Sequence, residues 1–254
     1  MRGVSFAVAA EAYDRFMGRY SAPLAPQLAG LAGVRRGQRA LDVGFCPGAL
    51  TRELVQRLGA DHVAAADPSE PFVAAVRERH RGVDVRQAAA EALPFADGEF
   101  DAALAQLAVH FMDDPVAGIS EMRRVTLPGG SVAACVWDFA GSRGPISLFW
   151  TAAVELDPGA EDESELAGAR QGHLAELFRG SGLRDVTEAE LSVEVRHGSF
   201  DEWWEPFTLG VGPAGAYTRS LDEGHRHLLK ERCRELAPSP FTLEAVAWAA
   251  RGTK

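Results

Sequence analysis

Ala40-Leu41-Asp42-Val43-Gly44-Phe45-Cys46-Pro47-Gly48-Ala49-Leu50-Thr51 is the stretch that decides the fold. It reads as a buried strand ending in an acidic residue, a tight glycine-bearing loop, and the start of a helix. Such a turn lets backbone N–H groups come close to a small ligand. Asp42 narrows the choice of ligand. A carboxylate beside the loop repels the pyrophosphate of a dinucleotide and attracts a ligand with a cationic amino group.

Outward from this turn, apolar runs alternate with helical patterns, the pattern of a parallel sheet covered by helices. The spacing predicts a first helix over residues 23–32 and strands over 38–43, 63–66, 83–87, 100–107 and 131–137. Helices are predicted over 49–58 and 70–79. Another begins at Asp114-Pro115, with Asp as cap and Pro in the first turn, and stops at Leu127-Pro128-Gly129-Gly130. Beyond Trp137 the pattern loosens. Residues 141–168 read as mixed, with Glu161-Asp162-Glu163 as a solvated loop. A helix over 171–180, a strand over 187–195, an aromatic helix over 200–207, a loop over 211–215, a charged helix over 221–236 and a closing strand over 241–250 follow.

The chain of 254 residues is long enough to bury a full core, and its formal charge of −10 disfavours nucleic acid or an anionic membrane as the main partner. Cys46, Cys135 and Cys233 are far apart and form no metal-binding spacing, so no metal site is expected and a reducing, cytoplasmic setting fits. Residues 1–12 lack the pattern of a signal peptide, and no apolar stretch is long enough to span a membrane.

Two further segments stand in order after the turn. Asp67 ends the second strand, where an acidic residue can accept hydrogen bonds from both hydroxyls of a ribose, or cap the helix that follows. Ala88-Ala89-Ala90-Glu91-Ala92-Leu93-Pro94-Phe95 runs on to Asp97-Gly98-Glu99-Phe100-Asp101. Together the three segments resemble the class I S-adenosylmethionine (SAM)-dependent methyltransferases of type 11, the family that includes ubiquinone/menaquinone C-methylases. The resemblance runs from about Tyr13 to Asp138. It implies an α/β, Rossmann-like fold with a seven-stranded sheet in the order 3-2-1-4-5-7-6 and a helical cap. It also implies one domain over 1–254: an N-terminal helical cap (1–35), a SAM-binding core (36–138), and an acceptor-side cap with the last two strands (139–254).

The same resemblance assigns SAM as cofactor and a small molecule as methyl acceptor. It places Asp42, Gly44, Phe45, Gly48, Asp67 and Pro68 around the cofactor, Ala90 and Glu91 against the adenine, and Gln106 beside the methionine portion. Tyr20, in the aromatic lead-in Tyr13–Tyr20, is expected to touch the cofactor. His110 is the candidate general base, or alternatively a loop histidine without a chemical role. Trp137, Phe149, Trp150, Trp203, Trp204 and Phe207 either line an acceptor pocket or pack the cap. His225 and His227 read as surface residues.

The departure from the family text is Phe45-Cys46, where the usual pair is Cys-Gly. If the backbone there needs a positive φ, a side chain costs roughly 1–2 kcal/mol. A thiol near a helix N-terminus can also have a lowered pKa. Two alternatives to methyl transfer stay open on the residues: a binding module that keeps the fold without the reaction, and a nicotinamide-dependent oxidoreductase. Asp42 and the absence of Gly-x-Gly-x-x-Gly speak against the second. The residues leave the acceptor, the methylated atom and the oligomeric state undetermined.

Overall fold

The computed structural model describes residues 10–238 and 240–254. Residues 1–9 therefore lie outside it, with most of the segment read above for a signal peptide and the first part of the 1–35 cap. Helix α1 (Ala10–Tyr13) passes through a π-helical turn (Asp14–Gly18) into α2 (Arg19–Leu31). Then follow β1 (Ala40–Val43), α3 (Ala49–Leu58), β2 (Val63–Asp67), α4 (Glu70–Arg79), β3 (Asp84–Gln87), β4 (Phe100–Gln106), α5 (Pro115–Val125) and β5 (Thr126–Trp137). The second half holds α6 (Ser147–Leu156), α7 (His173–Gly180), β6 (Arg184–Arg196), α8 (Phe200–Trp204), α9 (Gly212–Ser220), α10 (Glu223–Leu236) and β7 (Thr242–Thr253).

The seven strands form one sheet in the order β3-β2-β1-β4-β5-β7-β6. The first five are parallel, and β7 runs antiparallel to both β5 and β6. Alternation along the strands sorts the core into two layers. Ala40, Ala65, Leu104 and Cys135 share one layer with Leu24 and Leu28 of α2, Leu54 of α3 and Phe72 of α4. Leu41, Val43, Ala66, Ala103 and Val132 share the other with Ile119 and Met122 of α5 and Phe178 of α7. Asp42 pairs with Ala65 on one side and Leu104 on the other, so the decisive turn leaves the middle of the sheet.

Several elements depart from the sequence reading. The first helix starts earlier and contains Pro23 and Pro26. Its buried face, Leu24, Ala25, Leu28 and Ala29, outweighs the hydrogen bonds that the prolines omit. The Leu127–Gly130 stop is the start of β5, because Gly129 N–H donates to the Lys254 carbonyl (3.1 Å) and Lys254 N–H donates to the Gly130 carbonyl (3.1 Å). The segment read as mixed contains α6, whose Phe149, Trp150, Ala152 and Ala153 are buried. The expected loop at 211–215 opens α9, with Pro213 in its first turn. The Asp114 cap is present, its Oδ1 accepting from Ala117 N–H at 3.0 Å. Among the described residues no helix is long and apolar enough to cross a membrane.

Candidate active site

The C-terminal ends of β1, β2 and β4 open onto a cavity of about 460 Å³, walled by residues that include Gly44, Cys46, Asp67, Ser69, Glu91 and Phe111. That size is ordinary for a small-molecule site. Its floor is the β1–α3 loop. Gly44 has φ +67, and a Cβ there would sit 2.4 Å from the Ala108 Cβ, so only glycine lets β1 end this close to β4. Cys46 also has a positive φ, +48, the strained case raised above. The strain has a product: the turn aims Cys46 N–H at Asp67 Oδ2, 3.0 Å away. Asp67 Oδ1 accepts from Ser69 N–H at 2.8 Å. The Asp67 carboxylate is thereby held rigidly at the mouth of β2, with lone pairs to spare.

The walls carry Asp67, Glu70, Glu91 and Asp113 and no Lys or Arg. Beneath them Asp42 is fully buried, with Oδ2 accepting from the Thr51 hydroxyl at 2.7 Å and Oδ1 lacking a partner among the described residues. Burial pushes the Asp42 carboxyl up to about 7, only partly offset by the Thr51 bond and reinforced by the Asp67 charge. Burial likewise raises Asp67 to about 6, against the two backbone hydrogen bonds. Both shifts come first from burial. The Ser69 hydroxyl, on the cavity wall, has no partner among the described residues either.

Cys46 does not have the lowered pKa allowed for above. Burial, then the Asp67 charge, raises its thiol, and the Tyr13 hydroxyl is hydrogen-bonded to it. Tyr13 packs edge-on against Phe72, ring centroids 5.7 Å apart, and so closes the turn from above.

Of the residues expected around a cofactor, Gly44, Asp67, Pro68, Ala90 and Glu91 line this cavity. Asp42, Phe45 and Gly48 support it from behind: Phe45 is 4% exposed, and Gly48 (φ +95) starts α3. Tyr20 and Gln106 are placed elsewhere. The Tyr20 hydroxyl pairs with His197 Nε2 at 2.7 Å, and Gln106 Nε2 donates to the Ser21 carbonyl at 2.9 Å. Tyr20 is on the buried face of α2 itself and Gln106 is buried beneath that helix, which the sequence reading had starting after Tyr20.

His110 lies past β4 in a 3-10 turn (Val109–Phe111), and burial lowers its imidazole to about 3. It lines a second, small cavity of about 30 Å³ that shares Phe111 with the first and also touches Tyr13, Trp137, Phe139 and Glu163. Glu163 was expected in solvent; it is 3% exposed. Its Oε2 accepts from the Trp150 indole N–H at 2.8 Å, and burial raises its carboxyl to about 7. Sequence reasoning missed it because the neighbours Glu161 and Asp162 are exposed and no local pattern marks the third acid as different. Of the six cap aromatics, Trp137 and Trp150 reach cavities on this side. Phe149 stacks on Phe207 at 4.6 Å, and Trp203 packs on Phe207 at 4.8 Å. His225 is exposed and bonded to Asp222. Among the described residues no His/Cys/Asp/Glu group has the arrangement to hold a metal ion.

Sheet order, the glycine turn after β1 and the acid at the end of β2 define a class I, Rossmann-like methyltransferase fold. The family model described as a methyltransferase domain, type 11, matches residues 41–134. An uncharacterized protein of Mycobacterium tuberculosis (strain ATCC 25618 / H37Rv) is 31% identical over 226 residues, covering 84% of this chain and 81% of its own length. A malonyl-[acyl-carrier protein] O-methyltransferase of Pseudescherichia vulneris is 35% identical over 188 residues, covering 73% of this chain and 71% of its own. Among solved structures, Haemonchus contortus phosphoethanolamine N-methyltransferase 2, in complex with S-adenosylhomocysteine (SAH), is similar in fold. Its TM-score is 0.60 at 16% identity, covering 96% of this chain and 56% of that one. The chain belongs to the class I SAM-dependent methyltransferase family, type 11.

Proposed function

We propose that the chain transfers the methyl group of SAM to a small-molecule acceptor, with SAM held in the 460 Å³ cavity at the strand ends. One observation carries the assignment: a glycine turn opens onto a cavity whose wall holds Asp67, Glu70, Glu91 and Asp113 and no Lys, Arg or His, with Asp42 buried behind it. That surface favours a cationic ligand and disfavours a pyrophosphate. SAM supplies an activated methyl group on a cationic sulfur. Asp67, fixed by Cys46 N–H and Ser69 N–H, accepts from the ribose hydroxyls. Asp42 supplies negative charge below the turn for the amino group, and the 3-10 turn Ala90–Ala92 lies against the adenine.

The protein's task is alignment and exclusion of water. Phe111, on the walls of both cavities, separates cofactor from acceptor. His110 is neutral at working pH and too weak a base in this buried state to hold a proton. Its part is shape and hydrogen bonding, with Nδ1 lacking a partner among the described residues. Incubation with methyl-labelled SAM and a small-molecule extract tests the reading. Label in a low-mass product is expected; label found only in protein or nucleic acid contradicts it.

A further inference from the structure

Glu163 is a buried carboxyl without a cation. Among the described residues no Lys, Arg or His forms an ion pair with it, and its Oε2 accepts from the Trp150 indole N–H at 2.8 Å. A buried acid is ordinarily paired or ligated, since an uncompensated charge in the interior is expensive. Its position is also particular. Glu163 and Phe139 stand on the wall of the inner cavity and on that of an outer one of about 260 Å³. The outer cavity carries Asp162 as well, with the hydroxyls of Ser147 and Thr151 and no Lys or Arg on its wall; Glu155, also on it, is already ion-paired with Arg232 at 2.6 Å. The inner one carries no Lys or Arg either, and holds His110, 7% exposed, with its unpartnered Nδ1. Three cavities thus stand in series: the outer shares Glu163 with the inner, and the inner shares Phe111 with the strand-end cavity.

We propose that Glu163 is the receptor for a protonated amine on the methyl acceptor, the missing cation of this buried carboxylate. The proposal rests on the methyl-transfer reading above and names its substrate class. The aromatic walls, Phe139 and Trp150, take the apolar body of the amine, and the acidic outer cavity admits a cation and turns away a carboxylate. The acceptor R–NH3+ gives one proton to the Glu163 carboxylate. The freed nitrogen lone pair forms the new C–N bond as the methyl carbon's bond to sulfur breaks, and that electron pair stays on sulfur. The product leaves as R–NH2+–CH3 with SAH, and Glu163 returns its proton to solvent.

The test uses three matched probes, phenethylamine, 2-phenylethanol and 3-phenylpropanoate, titrated against the full chain alone and loaded with SAH, read by tryptophan fluorescence and calorimetry. The amine is expected to bind at least about tenfold tighter than either of the others, the size of a modest charge-assisted contact. Glu163→Gln keeps an oxygen for the Trp150 N–H and removes the charge. It should bring the amine within about threefold of the alcohol while its SAH affinity stays close to wild type and its melting temperature is no lower than wild type. Glu161→Gln removes one exposed acid from the same run and should keep the preference. An amine that binds no tighter than the alcohol, a preference that survives Glu163→Gln, or an equal loss in Glu161→Gln overturns the proposal. Failure of SAH to bind wild type would count against the methyl-transfer reading instead, and is read separately in the same titrations.

Discussion

The cavity at the strand ends and the cavities beneath the cap are both acidic, yet they are built from different materials. The first is made by main chain: a glycine turn, two backbone N–H bonds to Asp67, and a 3-10 turn, all between β1 and the end of β4. The second is made by side chains that meet only through the tertiary fold: Tyr13 from α1, His110 after β4, Glu163 before α7 and Ala214 in α9. Geometry set by main chain is rigid and local. Geometry set by distant side chains is adaptable, which suits a fold that keeps one cofactor and changes its acceptor.

Gly44→Ala breaks the first cavity at its tightest point and has the largest expected effect. A 2.4 Å approach to the Ala108 Cβ adds overpacking to the cost of φ +67, roughly 3 kcal/mol or more of stability together. Denaturant melts check it; a midpoint near wild type would mean that the turn is not held against β4.

Next comes the buried acid of the second region. Glu163 titrates at about 7 in the fold against its ordinary 4.5, so the folded chain binds a proton more tightly than the unfolded one. Its stabilising share is full below pH 4.5 and is lost as pH rises through 7, up to about 3 kcal/mol by pH 8.5. Glu163→Gln should therefore be more stable than wild type at pH 8.5, with the difference vanishing at pH 4.5. His110 and His197, lowered to about 3 and 4, act with the opposite sign as pH falls below 6.5. The two chains must therefore be compared at the same pH. An equal gap at both pH values contradicts the buried-charge account.

Asp67→Ala comes third. Losing charge-assisted hydrogen bonds of about 1.5–3 kcal/mol should weaken SAH binding about tenfold to a hundredfold. Stability should change less, because removing a buried carboxylate offsets the release of Cys46 N–H and Ser69 N–H. Unchanged affinity in calorimetry removes Asp67 from the site.

Cys46→Gly is expected to do least. Relief of a positive φ, roughly 1–2 kcal/mol, is opposed by a more flexible unfolded chain, about 0.4–1 kcal/mol, and by loss of the thiol's contact with Tyr13. The strained turn already delivers Cys46 N–H to Asp67 without ligand, so the strain is common to free and bound states and cancels from affinity. SAH binding should stay within about threefold; a larger gain means that the turn rearranges on binding.

The same contrast explains what the sequence made legible. Helices α3 and α4 stand at the expected residues, and the sheet order follows the resemblance, because turn, cap and period are local signals. The five expected cofactor-side residues that meet in the cavity belong to such signals. Tyr20 and Gln106 depended on where α2 crosses the sheet, and helix entry through a π-turn with two internal prolines has no local signature. Helix α6 and the burial of Glu163 were hidden for a related reason: Trp150 is thirteen residues away and makes the acid interior only once the cap is folded.

The central claim is that the strand-end cavity is a SAM site of cation-favouring charge. Calorimetric titration of the wild-type chain with SAH and, separately, with NADH tests it most directly. The account predicts one SAH site with a dissociation constant of roughly 1 μM to 1 mM, the span usual for enzyme ligands, and no measurable NADH heat. NADH binding with no SAH binding would contradict it.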